Sequence, residues 1–322
     1  MTSREGWPAL PLEEWQDTLD TLHLWTQIVG KVKLALAPVV NHWWGVTLRV
    51  TPRGLDTGTM YHGRTPLRIE FDLVEHRLAI EAGIRRRHLD LEPRSVADFH
   101  AELLRTLAEQ GCAVTIDRTP NEVEHAVPFD EDEAHASYDA AAVERFRIAL
   151  LHADRLLDAA RASFLGKATP SHFFWGSFDL ALTRFSGRPA PAHPGGFPNL
   201  PDWVTREAYS HELWSAGWWP GQGPAGLGQP AFYAYSYPAS PGFAGRDLGV
   251  PGAAWNGTMG EYFLTWSDVI AAPDPDAAVH AFLAASYAAA ADAGEWDRDA
   301  LDRSEEQLAE LEAQVHRSSH AE

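Results

Sequence analysis

Leu12, Trp15, Leu19, Leu22, Trp25, Val29, Val32 and Leu36 step by three and four, the period of one helix face, until Pro38 stops the run. Glu13, Glu14 and Asp17 at its start and Lys31 and Lys33 at its end complement the helix dipole. The pattern then changes to short alternating runs, WGVTLRV, PRGLDTG, LRIEFDLV, RLAIEAG and RHLDLE, which predict an antiparallel meander. A second helix is expected from Ser95 to Gln110, with Ser95 as N-cap, Asp98 three residues on and Gly111 after its end. The alternation of CAVTID predicts a strand around Val114. Residues 121–138 are acidic and aperiodic, which reads as a linker or surface loop, and the glycine and spacing of a calcium loop are missing.

A long helix is predicted from Ala140 to Phe164, followed by strands at HFFWGSFDLALTRF, EAYSHELW, AFYAYSY and MGEYFLTW. Another helix spans Pro275 to Ala291. A charged helix from about Trp296 sets Leu301, Leu308, Leu311 and Val315 on one side, to pack on the body or to mediate self-association. Between Ser186 and Gly257 about a third of the residues are Gly or Pro. Long irregular stretches in compact domains tend to be functional or disordered. Trp203, Trp214, Trp218, Trp219, Tyr233, Tyr235 and Tyr237 in this region favour ordered loops, with a lid as one form.

Two phrases nearly repeat, PVVNHWWGVTLRVT from Pro38 and TPSHFFWGSFDLALTRF from Thr169. Each follows a helix ending near Gly-Lys and precedes strands and a helix containing FHAEL or VHAFL, although Pro38 stands four residues before His42 and Pro170 two before His172. The expected fold class is therefore α+β, with two related helix, antiparallel-sheet, helix units arising by tandem duplication. The divisions are 1–120, an acidic linker 121–138, a second unit 139–294 with a loop-rich insert 186–257, and a charged helix and tail 295–322.

Composition narrows the partners. The 322 residues are 45% hydrophobic, enough for a substantial core, and the formal charge of -19 without a basic patch opposes binding to nucleic acid or an anionic membrane. Lys31, Lys33 and Lys167 are the only lysines, so positive charge is nearly all arginine, which reads as compositional bias. Cys112 alone excludes an internal disulfide and a cysteine metal cluster, and its alternating surroundings suit a buried structural thiol. The N-terminal residues lack the form of a leader, and no apolar run reaches the roughly 20 residues needed to cross a bilayer, so a soluble, cytoplasmic protein is expected.

Familiar signatures fail on context. GQGPAG, Gly221 to Gly226, satisfies a dinucleotide-binding pattern but has WWP before it and Pro224 inside it. Gly30-Lys31 and Gly166-Lys167 lack the rest of a phosphate loop, HELWS has Ser215 where a second zinc histidine would stand, and no GxSxG is present. What remains is polar groups in apolar surroundings. His23, Gln27 and Lys31 share a helix face that is either solvated or turned into a cavity. His42 and His172 begin the two aromatic clusters; each suits a hydrogen-bonded core position, and a duplication could bring both to one cleft.

From Ser177 onward Ser177, Asp179, Ala181 and Thr183 point one way and Phe178, Leu180 and Leu182 the other. Arg184, Arg188, His193, Asp202, Arg206, Glu207, His211 and Glu212 follow, a density that allows acid and base chemistry, a metal site, or ion pairs that fix loops. The candidate pocket set is His23, Gln27, Lys31, His42, Trp44, His172, Trp175, Asp179, Arg184, His211 and Glu212. A metal alternative rests on His42, His172, His193 and His211, and no cofactor is specified.

The phrases TLHLWTQIVGKV, NHWW, HFFWGSFDLALTRFSGRPAPAHPGG and NLPDWVTREAYSHE together resemble the bacterial domain of unknown function 5996 family, from about Trp7 to Trp296. That resemblance implies no activity. The residues point to binding or conversion of a small polar, sugar-like molecule in an aromatic-lined cleft. The alternatives are a noncatalytic interaction module and a histidine and carboxylate metal enzyme.

Overall fold

A computed structural model describes residues 4, 6–222 and 227–318. Gly223 to Gly226, most of the GQGPAG string, lie outside the described residues.

The first periodic run forms α1 (Gln16–Leu36), entered through a short 3-10 turn at Leu12–Glu14. The meander follows as β1 (Arg49–Thr51), β2 (Gly54–Asp56), β3 (Met60–His62), β4 (Thr65–Asp72), β5 (Arg77–Ala82) and β6 (Arg85–Asp90). It is an antiparallel sheet of order β1-β2-β4-β5-β6, in which β2 and β3 share one edge of β4: Leu55 pairs Phe71, and Met60 pairs Leu67. α2 (Val96–Glu109) is capped as expected, the Ser95 hydroxyl accepting from the Asp98 amide at 3.1 Å.

Residues 112–117 are a correction. They alternate in burial, with Cys112 and Ile116 buried, yet form no strand. The segment is extended against the body without a ladder partner, and the His62 ring meets the Ala113 carbonyl at 3.1 Å. Alternation reports which side chains turn inward; a strand also needs a free sheet edge.

The acidic segment 121–138 is packed: Asn121, Phe129 and Asp132 are buried. α3 (Ala140–Arg161) then leads to β7 (His172–Phe174), β8 (Asp179–Pro189), α4 (Asp202–Ala208), β9 (His211–Trp219), β10 (Ala231–Tyr237), β11 (Ala253–Asn256) and β12 (Glu261–Thr265). These strands form a second antiparallel sheet of order β11-β12-β10-β9-β8-β7. α5 (Trp266–Ala271), α6 (Pro275–Ala293), α7 (Arg298–Leu301) and α8 (Glu305–Ser318) complete the order. Helices with two antiparallel sheets make the chain α+β, as its patterning implies. No helix among the described residues is long and apolar enough to cross a membrane. On α8, Leu311 and Val315 are exposed.

The two similar phrases meet. Leu48 and Phe173 exchange backbone hydrogen bonds at 2.9 and 3.0 Å, joining the start of one sheet to the edge of the other. The Trp175 indole donates to the Val46 carbonyl at 2.9 Å and lies flat on Gly30 of α1, where any Cβ would strike the ring. One contiguous apolar core runs through both halves. α3 and α6 cover one face of the second sheet, Phe146 and Tyr287 meeting Trp218 and Trp214 with ring centroids 5.9 and 5.6 Å apart. The opposite face of that sheet carries the polar alternate positions.

Candidate functional site

Strand alternation dictates what that opposite face presents. On β8 the pairing of Ala181 with Gly217, and of Thr183 with Ser215, puts Asp179, Ala181 and Thr183 in line with alternate residues of β9. Gly217 and Ser215 in turn pair with Tyr233 and Tyr235 of β10. Above this floor stand α4, the loop around His193 and Phe197, and the segment containing Glu122. They border a cavity of about 560 Å³ that opens to solvent.

Close approach explains the glycine in the floor. A Cβ on Gly217 would fall on the Leu180 carbonyl and the Tyr233 hydroxyl, so a side chain there would displace the Tyr233 ring. With glycine in place, the buried Tyr233 hydroxyl donates to Asp179 Oδ2, and the Ser177 hydroxyl donates to Oδ1 at 2.7 Å. Tyr235 and Tyr209 share a hydroxyl hydrogen bond of 2.9 Å, and His193 stacks on Tyr209 with centroids 4.6 Å apart.

Three carboxyls line the cavity: Glu122, Asp179 and Glu261. Burial raises the pKa of Glu122 to about 7, and the nearby charge of Asp179 adds to the effect. Glu261 rises to about 7 for the same two reasons. Burial also raises that of Asp179, against the lowering effect of its Tyr233 and Ser177 hydrogen bonds. Among the described residues, no hydrogen bond or ion pair reaches the carboxylates of Glu122 and Glu261. No lysine or arginine lines the cavity.

The backbone around the cavity is unusual as well. Glu122, His42 and Trp43 line it with positive φ values of 59°, 60° and 52°. Phe178 and Asn199, at 58° and 54°, adjoin the lining residues Ser177, Asp179 and Leu200. Left-handed conformations of bulky residues persist only where the surroundings hold them, and they concentrate at functional sites. Here the holding groups are visible. Gln27 Nε2 donates to the Asn121 carbonyl at 2.9 Å and its Oε1 accepts from the Asn121 amide at 2.8 Å. His23 Nε2 meets the Gly176 carbonyl at 2.8 Å. The Glu122 amide donates to the Pro198 carbonyl at 2.8 Å, and the Glu122 carboxylate sits where a Cβ of Gly176 would be.

The polar row on α1 is therefore turned inward. Gln27 and His23 brace the two segments that carry Glu122 and Asp179, and burial drops the His23 pKa to about 4, keeping the ring neutral. Lys31, one turn further on, is buried and reaches Asp117 at 3.4 Å, away from the cavity lining.

Of the other residues singled out in the sequence, His42, Asp179 and His193 line this cavity, whereas Trp44, His172 and His211 line a second one of about 590 Å³. Ala208 of α4 borders both. His42 stacks on Trp44 at 4.7 Å and lies 5.7 Å from Phe174, which His172 meets edge-on at 6.1 Å. The two histidines thus flank one phenylalanine. Burial lowers each to about 4, so both rings are neutral near pH 7. The four histidines of the metal alternative are divided between the cavities, and among the described residues no three His, Cys, Asp or Glu side chains stand together as a metal set.

Trp175 is core. Arg184 points to the helix side, its guanidinium stacked 4.3 Å from the Tyr287 ring centre and 5.2 Å from that of Trp214. Glu212 pairs with Arg188 at 2.6 Å on the rim of the sheet. Among the lining residues absent from the sequence-derived set are Glu122, Glu261, Tyr209, Tyr233 and Tyr235. Glu261 and the tyrosines had a usable signal, since they occupy alternate positions on predicted strands; Glu122, in an aperiodic acidic segment, had none.

No curated protein and no solved structure matches the chain. A family model matches residues 7–303, which is most of the chain and includes every lining residue of the cavity. The chain belongs to that family, described as a family of unknown function (DUF5996).

Proposed function

We propose that the cavity over the second sheet binds a small polar molecule of monosaccharide size and can exchange a proton with it. The observation that carries this reading is an aromatic-walled cavity over a sheet face whose lining carboxyls at Glu122 and Glu261 have no partner among the described residues. The volume falls in the range of ligand pockets, and a few polar groups among aromatic faces are the usual means of orienting a small ligand. Carboxyls that titrate near 7 suit general acid and base work at neutral pH, which supports conversion as well as binding. An anion is the poorest candidate, because three acidic side chains and no lysine or arginine line the cavity.

The test is a thermal-shift panel of neutral sugars, polyols, amines and carboxylic acids, followed by calorimetry on whatever stabilises the protein. At least one uncharged or cationic compound is expected to raise the melting temperature. Glu122→Gln with Glu261→Gln is expected to abolish proton exchange on binding. A panel in which only carboxylic acids stabilise, or nothing does, would sink the reading.

A further inference from the structure

Charge in the cavity is one-sided. Glu122, Asp179 and Glu261 line it without any lysine or arginine, and the partners of Asp179 are two neutral hydroxyls. The remaining titratable groups of the lining are His42, His193 and the tyrosines. Burial lowers the pKa of both histidines and raises those of Tyr209, Tyr233 and Tyr235, so none supplies a counter-charge at neutral pH.

A second observation is independent of the acids. Trp43, Trp219, Tyr209, Tyr233, Tyr235 and Tyr237 all line the cavity, and the faces of such rings attract cations. A carboxylate held in a cavity without a cation is costly, and that cost falls away when a ligand supplies one. A neutral sugar would use the aromatic faces, yet leave the mutual repulsion of the carboxylates in place. An anion would worsen it.

We propose, building on the reading of this cavity as a small-molecule site, that its ligand is an organic cation, a primary to quaternary ammonium compound. The charged head lies among Glu122, Asp179 and Glu261, and its carbon frame lies against the tyrosine and tryptophan rings.

Matched pairs separate charge from shape. The full chain is titrated calorimetrically with choline against 3,3-dimethylbutan-1-ol, with glucosamine against glucose, and with putrescine against 1,4-butanediol. The cationic member of at least one pair should bind at least tenfold more tightly than its neutral partner. Its binding at pH 7 should release protons to the buffer, because a cation favours the ionised forms of Glu122 and Glu261. Glu261→Gln, whose carboxylate has no partner among the described residues, should fold normally and weaken the cation at least fivefold. If neutral members bind as tightly as their cations, the cation inference is overturned and the small-molecule reading stands. If no member of any pair binds, both are overturned.

Discussion

Two antiparallel sheets in one chain handle their polar faces in opposite ways. On the first sheet the least exposed carboxylates have a guanidinium: Arg68 meets Asp56 at 2.7 Å and Glu70 at 3.2 Å, and Arg53 meets Asp72 at 2.8 Å. On the second sheet Asp179 and Glu261 stand on a face covered by α4 and loops, where no arginine among the described residues reaches them. Cross-strand ion pairs are the ordinary way to make a half-solvated sheet face compatible with folding. Their absence under a roof is costly, and the cost is incurred where the left-handed residues Glu122, His42 and Trp43 also gather. The contrast supports the proposal that the ligand site lies on the second sheet.

The largest consequence is a pH dependence belonging to the second sheet alone. A carboxyl whose folded pKa is raised from 4.5 to about 7 binds its proton more tightly in the folded chain. Stability from this source is present below the unfolded pKa, about 4.5, and is lost as pH rises through about 7. Each such group would cost on the order of 3 kcal/mol once fully ionised. Glu122→Gln/Glu261→Gln should therefore gain stability over the wild type between pH 6 and 9, measured by urea denaturation. A wild type and variant that lose stability in parallel across this range would mean that the carboxyls are solvated like those of the first sheet.

Next in size is the floor itself. Gly217→Val would drive a branched side chain onto the Leu180 carbonyl and the Tyr233 hydroxyl, and backbone cannot step aside. Overpacking of this kind costs about 3 kcal/mol or more. A steep fall in melting temperature is expected, with loss of any ligand response. On the first sheet, Gly83→Ala has only Thr65 Cγ2 near its Cβ, at 3.9 Å, and its cost should be confined to backbone strain at φ 59°. Equal effects from the two substitutions would erase the distinction.

How much of this could be read from the chain depends on what each signal encodes. Period two revealed that Ser177, Asp179, Ala181 and Thr183 share a face, and all four line the cavity. The same parity places Arg184 on the opposite face, so its inclusion in a pocket set ignored the rule that selected Asp179. Helices α1, α2 and α6 were legible from spacing and caps. α4 was not, because its seven residues begin after Pro201 inside a stretch dominated by Gly and Pro. Glu122 was invisible for a physical reason: its position depends on Gln27, 95 residues earlier in the chain, holding Asn121 from α1. Long-range bracing of an irregular segment leaves no local periodicity. The likeness of the two aromatic phrases led toward His42 and His172, which flank Phe174; Asp179 pairs with that phenylalanine across the strands, but Glu122 and Glu261 come from segments that neither phrase contains.

The tie between Tyr233 and Asp179 offers a smaller but more local test. Both groups are buried, so Tyr233→Phe and Asp179→Asn should each destabilise, and a double-mutant cycle should return a coupling of about 1–3 kcal/mol. Coupling near zero would mean that this hydrogen bond does no more than an exposed pair on the first sheet.

The smallest effect is expected where the interactions are most numerous. Arg68 contacts Asp56, Glu70 and Glu81, and although the Asp56 and Glu70 side chains are only 11% and 13% exposed, its own guanidinium side chain is 36% exposed and shared with water. Exposed pairs gain little over their hydration, typically less than about 1 kcal/mol, and salt screens what they gain. Arg68→Met keeps the apolar stem over the sheet and removes the charge, so it isolates the electrostatic part. Its cost in chemical denaturation should be about 1 kcal/mol at low ionic strength and should shrink in 0.5 M NaCl. Ligand binding in the cavity should be unaffected, since Arg68 contributes nothing to its lining. A cost several times larger that resists salt would show that the arginine ladder offsets buried charge, and the two sheets would then differ only in the residue that answers their carboxylates.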